Sequence, residues 1–264
     1  MQRPTRARRA RPIYGVDSRT IGVDVTTGSC ILCGSVGKLS REHVFPDWLN
    51  RTLFLNKPMV MRTGQRPYIN STLAIRAKAI CDPCNHVWSS NIETKASKLL
   101  AGPVLGRPTQ FTNADMPLLA LWTAKIAWLL HAADGRVPEP HVVDHLHWLR
   151  EHEQPSQSTC IWLFHLPRVG RSKDMLASAD AGAIAINRGG RELPFTLATV
   201  TVGELGFQIV AHDADDDEDC VMNHDPQIEP ALTQIWPNHP ELVDWPPAHS
   251  FSYDGVRLLG AFYI

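Results

Sequence analysis

Two cysteine pairs, an acid-histidine dipeptide and one asparagine carry the chemistry in this sequence. Cys30-Ile-Leu-Cys33 and Cys81-Asp-Pro-Cys84 each space two thiols so that a tight turn brings both to one point. Two such turns complete a tetrahedral set for Zn²⁺, and a site closed by four thiolates keeps no open position for catalysis. Its work is to clamp distant segments together. The 47 residues between Cys33 and Cys81 exceed the roughly 15 to 20 of a simple zinc ribbon, so something is inserted between the knuckles. Inside that insert lies Ser40-Arg41-Glu42-His43-Val44-Phe45-Pro46, and Asn85 follows the last knuckle cysteine directly.

The neighbouring elements must position these groups. Leu73, Ile75, Ala77 and Ala79 alternate with Thr72, Arg76 and Lys78, the period of a strand with one basic face, and it leads straight into Cys81. After Cys84, residues Val87, Trp88, Ile92, Ala96, Leu99 and Leu100 recur at helical spacing up to Gly102-Pro103, so the second knuckle opens a helix. Downstream, Asp115 is placed to cap a helix over Leu118 to Ala133, and a second covers about Val142 to His152. Strand-like runs follow at Cys160 to Leu166, Gly182 to Asn187, Phe195 to Val202 and Phe207 to His212, with a last short one at Arg257 to Tyr263. Residues 213 to 250 are acidic and then proline-rich, which predicts largely irregular chain. The expected class is α+β: an N-terminal zinc-clamped module, a helical pair, and a mainly antiparallel sheet.

The order Cys-x-x-Cys, acid-His, Cys-x-x-Cys-Asn resembles the HNH, or ββα-metal, nuclease superfamily, particularly the phage Holliday-junction resolvases. The runs SREHVFPDWL and CDPCNHVW are similar to those of bacterial and phage HNH proteins. The resemblance covers about residues 28 to 100. It implies that His43 is the general base that deprotonates water, and that Glu42 and Asn85 hold one hard cation, Mg²⁺ or Mn²⁺, through oxygen. It also implies a structural zinc on Cys30, Cys33, Cys81 and Cys84, which brings His43 opposite the start of the Asn85 helix. Two departures stand out. The resolvases have aspartate at the place of Glu42, and a helical acid three residues after the asparagine, where this chain has Trp88. Glu93 is the better replacement for that acid, ahead of His86, because adjacent helical residues point about 100° apart and Asn85 and His86 do not readily share one ion.

Charge agrees with a polyanionic partner. Residues 1–110 hold 17 Lys/Arg against 6 Asp/Glu, and residues 111–264 hold 9 against 21, so a net charge of −1 conceals halves of +11 and −12. Basic groups that neutralise phosphates release counterions and gain affinity. DNA is the expected partner, met by Arg41, Arg76, Lys78 and Lys95 and by an arginine-rich arm. The arm (1–20), the zinc-knuckled module (21–110) and an α+β region (111–264) are the expected divisions; nothing fixes an oligomeric state. The start MQRPTRARRARPIYG lacks the apolar run of a secretory signal, and Lys125 interrupts the longest apolar stretch, so the reading is cytoplasmic without a membrane span. A different class of function fits the same motifs: a zinc-clamped protein that binds nucleic acid without cutting it. Other motifs carry less. His141-Val-Val-Asp-His145 imitates an inverted zinc-protease motif but reads as a polar helix face, and Asp213 to Asp219 lacks the glycine and final glutamate of a calcium loop. Trp122, Trp128 and Trp148 read as core, and Cys160 and Cys220 as free thiols.

Overall fold

The computed structural model describes residues 27–53, 59–63, 66–70, 75–133, 138–168, 177–188, 191–212, 224–252 and 259, with backbone alone for 59–63, 66–70, 177–188 and 191–194. The basic arm, the 213–219 run, Cys220 and most of the expected last strand lie outside them.

The chain is α+β with antiparallel sheets. Strand β1 (Thr27–Ser29) pairs with β2 (Val36–His43), and β2 pairs with β5 (Arg76–Cys81), so both knuckles sit on one three-stranded sheet. The insert contains α1 (Asp47–Thr52), which starts after Pro46 and buries Trp48 and Leu49, and a hairpin of β3 (Met59–Thr63) and β4 (Arg66–Asn70). Sequence periodicity gave no sign of α1, because six residues are too short for a repeating apolar stripe. Beyond Cys84 the backbone makes a π-helical turn over Cys84–Ser89 before α2 (Ser90–Leu100), which buries Ile92, Ala96 and Leu100.

The five-stranded antiparallel sheet has the order β11-β7-β10-β9-β8, formed by β7 (Thr159–His165), β8 (Ala177–Arg188), β9 (Arg191–Val202), β10 (Leu205–Ala211) and β11 (Leu232–Trp236). Every residue of β7 and β10 is buried, as expected for inner strands covered on both faces. The proline-rich region is more regular than its composition predicts: β11 lies in it, and so does β12 (Leu242–Trp245), which pairs with β6 (Thr109–Thr112). Buried aromatics explain both strands. Trp236 donates its indole N–H to Ser156 O at 2.9 Å and Trp245 donates to Pro103 O at 3.1 Å.

Helix α3 (Met116–His131) is apolar on all sides and central, whereas α4 (Pro140–His152) buries one face. Asp115 precedes α3 but bonds backwards: its Oδ2 accepts from the backbone N–H and hydroxyl of Thr112 at 2.8 and 2.7 Å, and no side chain caps the helix. One continuous apolar core runs from Cys30 to Trp245, with Trp122 set between Trp48 and Phe207 at centroid distances of 6.0 and 5.9 Å. The segment carrying the two cysteine pairs and the segment after residue 110 therefore share an interior. No helix among the described residues is long and apolar enough to cross a membrane.

Candidate functional site

The first knuckle is a turn closed by Gly34 N–H to Cys30 O at 2.8 Å and Cys30 N–H to Ser35 O at 3.0 Å, with Gly34 at φ +70°. It lies against β5, where Ile31 N–H donates to Ala79 O at 2.9 Å. The four cysteine sulfurs lie within 4.8 Å of one another, with Cys33 Sγ and Cys81 Sγ 3.6 Å apart. A Zn–S bond of about 2.3 Å places tetrahedral sulfurs about 3.8 Å apart, so donor chemistry and spacing are compatible with a structural zinc. The thiols differ in their surroundings. Burial pushes Cys30 and Cys84 up, and neighbouring thiols push Cys84 further. Burial would also raise the exposed Cys33, but hydrogen bonds with Ser35, then with Cys30 and Cys84, bring it down to about 6. The backbone N–H of Cys81 already donates to Cys30 Sγ at 3.3 Å. Such a bond stabilises a thiolate.

Beside this cluster the π-helical turn faces β2. Asn85 and Ser89, four residues apart on the turn, reach Ser40 and Glu42, two residues apart on the strand. Asn85 Nδ2 donates to Ser40 Oγ at 3.0 Å, and Ser40 passes its own proton to Ile80 O at 2.9 Å. Because the serine proton is spent on that carbonyl, Asn85 must donate from its nitrogen, which leaves Oδ1 as its open oxygen. Ser89 Oγ donates to Glu42 Oε1 through a short hydrogen bond. The β2–β5 ladder is irregular between Ser40 and Glu42, where one extra residue of β5 stands opposite Arg41. Bulges of this kind re-aim side chains. His43, half-buried, ends β2 opposite Arg76.

The interior behind Glu42 was not visible in the sequence. Lys125, from the middle of α3, is completely buried, and its Nζ lies 3.1 Å from Glu42 Oε1 and 2.6 Å from Glu93 Oε1. Glu93 Oε2 accepts the indole N–H groups of Trp48 at 2.9 Å and Trp122 at 3.0 Å. Burial lowers the lysine pKa, but the charges of Glu93 and Glu42 outweigh it and hold the ammonium above its ordinary value. Lys125 thus stays charged, with two carboxylates against one ammonium. Glu93, expected as the extra catalytic acid, bonds Lys125 and two indoles, because its place on α2 turns it toward the core. His86, the other substitute, is exposed and lies 4.0 Å from Asp82.

The basic residues divide. Arg41, Arg76 and Lys95 are exposed and Lys78 is half-buried. His141 and His145 are both bonded within the fold. His145 Nε2 donates to His212 O at 2.6 Å while its ring stacks on Trp128 at 5.1 Å, and His141 Nε2 lies 2.6 Å from Thr196 Oγ1. His145 is buried, so the polar helix face expected there is only partly polar.

Comparison with protein-family models, with curated proteins and with solved structures finds no match to this chain.

Proposed function

We propose that the chain is a metal-dependent nuclease of the HNH type that hydrolyses phosphodiester bonds in DNA. The observation that carries this reading is the pairing of Asn85 and Ser89 with Ser40 and Glu42. It sets an open amide oxygen and a carboxylate on the facing sides of a strand and a helix start, with His43 the next residue along the strand. An amide and a carboxylate oxygen are the donor chemistry of a hard cation, and among the described residues neither Asn85 Oδ1 nor Glu42 Oε2 is bonded. The residues therefore fit Mg²⁺ or Mn²⁺. When bound, that ion would supply positive charge for the phosphorane-like transition state and the leaving 3′ oxygen. His43 accepts a proton from water at a ring nitrogen as the water oxygen bonds to phosphorus and the bond from phosphorus to the 3′ oxygen breaks. Arg41 and Arg76, exposed on either side of His43, meet the flanking phosphates, and the +11 balance of residues 1–110 draws the polyanion in. The four cysteines hold the two sides of this centre in register despite the 41 positions between His43 and Asn85.

A second reading is favoured by one observation: Glu42 is only 7% exposed and ion-paired with Lys125, as a purely structural strut would be. Under it the module binds DNA without cutting. The two readings separate on His43→Ala purified with its zinc. The nuclease reading expects unchanged DNA binding and loss of Mg²⁺- or Mn²⁺-dependent nicking of plasmid and branched substrates. Wild-type protein that binds these substrates and cuts none of them in either metal leaves the binding module standing instead.

A further inference from the structure

We infer that Lys125, with Ser89, is a positioning residue for the proposed metal centre: the two hold Glu42 by Oε1, so that Glu42 presents Oε2 alone, as a monodentate ligand. This rests on the reading of Glu42 and Asn85 as cation ligands, and it deepens that reading by assigning the metal preference of the site.

Three observations carry it. Ser89 Oγ and Lys125 Nζ converge on the same carboxylate oxygen of Glu42, and no described residue bonds the other. Lys125 cannot move away, because it is wholly buried on a helix that is apolar on all sides and is held by Glu93 at 2.6 Å. Glu93 is itself fixed by the indoles of Trp48 and Trp122. The chain of contacts from two tryptophans through Glu93 and Lys125 to Glu42 therefore sets the rotation of one carboxylate.

That rotation matters for the choice of ion. Ca²⁺ takes six to eight oxygens in flexible geometry and readily uses both oxygens of a carboxylate, whereas Mg²⁺ demands near-octahedral geometry at about 2.0–2.1 Å. A glutamate locked by one oxygen suits the smaller ion and denies the larger its bidentate grip. Outer partners of this kind typically change metal affinity by about 10- to 100-fold when removed.

The double variant K125M/E93Q isolates the effect. It removes one positive and one negative charge, so the local sum stays at −1, and glutamine keeps a carbonyl oxygen for the two indoles. The Lys125 part of the hold on Glu42 Oε1 is lost, and Ser89 remains. Mn²⁺ binding to zinc-loaded full-length protein is read by electron paramagnetic resonance, with Ca²⁺ as competitor. Wild type is expected to bind Mn²⁺ at a site lost in E42Q. K125M/E93Q is expected to bind Mn²⁺ about tenfold more weakly and to lose discrimination against Ca²⁺ by at least as much, with unchanged zinc content. Ser89→Ala, a smaller change that leaves Lys125 in place, is expected to move both values in the same direction. Wild-type Mn²⁺ affinity and Ca²⁺ discrimination in Ser89→Ala, or in a folded K125M/E93Q, overturn the inference while E42Q still loses the ion. Mn²⁺ binding that E42Q leaves intact overturns it differently, by removing the ligand role of Glu42 itself.

Discussion

Replacing Lys125 by methionine is the sharpest test of the buried ion network, because it removes a charge and little volume. At an effective dielectric constant of about 20, unit charges separated by the distances from Lys125 Nζ to Glu93 and Glu42, 2.6 and 3.1 Å, attract by about 6 and about 5 kcal/mol. Desolvation of the ammonium and the two carboxylates cancels much of that gain. What Lys125→Met leaves behind decides the outcome: two buried carboxylates without their shared counter-ion. Glu93 keeps its indole donors and Glu42 keeps Ser89, so the expected loss is about 3–5 kcal/mol, typical of breaking a buried pair from one side. That is a large part of the roughly 5–15 kcal/mol that holds a protein folded. Glu93→Gln leaves Lys125 bound to Glu42 and should cost about 2 kcal/mol. The double variant should cost less than the sum of the two by about 1–3 kcal/mol, because neither residue is left buried against a missing partner. Urea unfolding of zinc-loaded protein at pH 7, followed by tryptophan fluorescence, measures all three. A single-variant cost below about 1 kcal/mol, or costs that add within about 0.5 kcal/mol, would refute the argument that Lys125 is the counter-ion of both glutamates.

Cys84→Ala should abolish zinc binding and lower the melting temperature, since the energy of a structural zinc is folding energy, whereas Cys160→Ala, buried outside the cluster, should leave metal content unchanged by mass spectrometry. Zinc affinity should depend steeply on pH. Cys30 and Cys84 are held protonated by burial, so at least two protons leave when the ion binds; the apparent affinity then falls by about 100-fold per unit between pH 8 and pH 7 in a chelator competition, and a flat profile would contradict the assigned thiols. Ser40→Ala should free the Asn85 amide to rotate and weaken Mn²⁺ binding by about tenfold without loss of zinc. Gly203→Ala should destabilise the fold by at least about 2 kcal/mol by thermal or urea unfolding. Gly203 has φ +61°, and an added Cβ would lie 2.0 Å from the carbonyl oxygen of Val104.

The cysteines were legible because a short, fixed spacing is a local property, and the structure gathers all four sulfurs. The strand into Cys81 and the helix after Cys84 were legible for the same reason: their apolar repeats lie within one element. Lys125 was not, because in sequence it is only an interruption of an apolar run, and its partners Glu42 and Glu93 lie 83 and 32 residues away. A buried charge becomes meaningful only once its counter-charge is known. Glu93 met the same blindness: an acid two turns into a helix reads as an available ligand, and its bonds to Lys125, Trp48 and Trp122 come from distant parts of the chain. The strands at Leu232–Trp236 and Leu242–Trp245 were hidden by prolines, whose local signal is a break; the pairing that overrides it comes from β7 and β6, far back in the chain.

The pairing of β6 with β12 has one further consequence. Asn113 N–H donates to Glu241 O at 2.9 Å, so residues 113–241 leave the rest of the protein and return to it through a single doorway. Chain segments with adjacent ends are the kind that protein engineers and evolution transplant whole. Here the transplant would fail unless its host supplied matching acids. The excursion carries Lys125 into the interior beside Glu42 and Glu93, so the guest holds a piece of the host's wiring. A transplanted 113–241 segment should fold into a host only where the lysine it brings meets both glutamates already there.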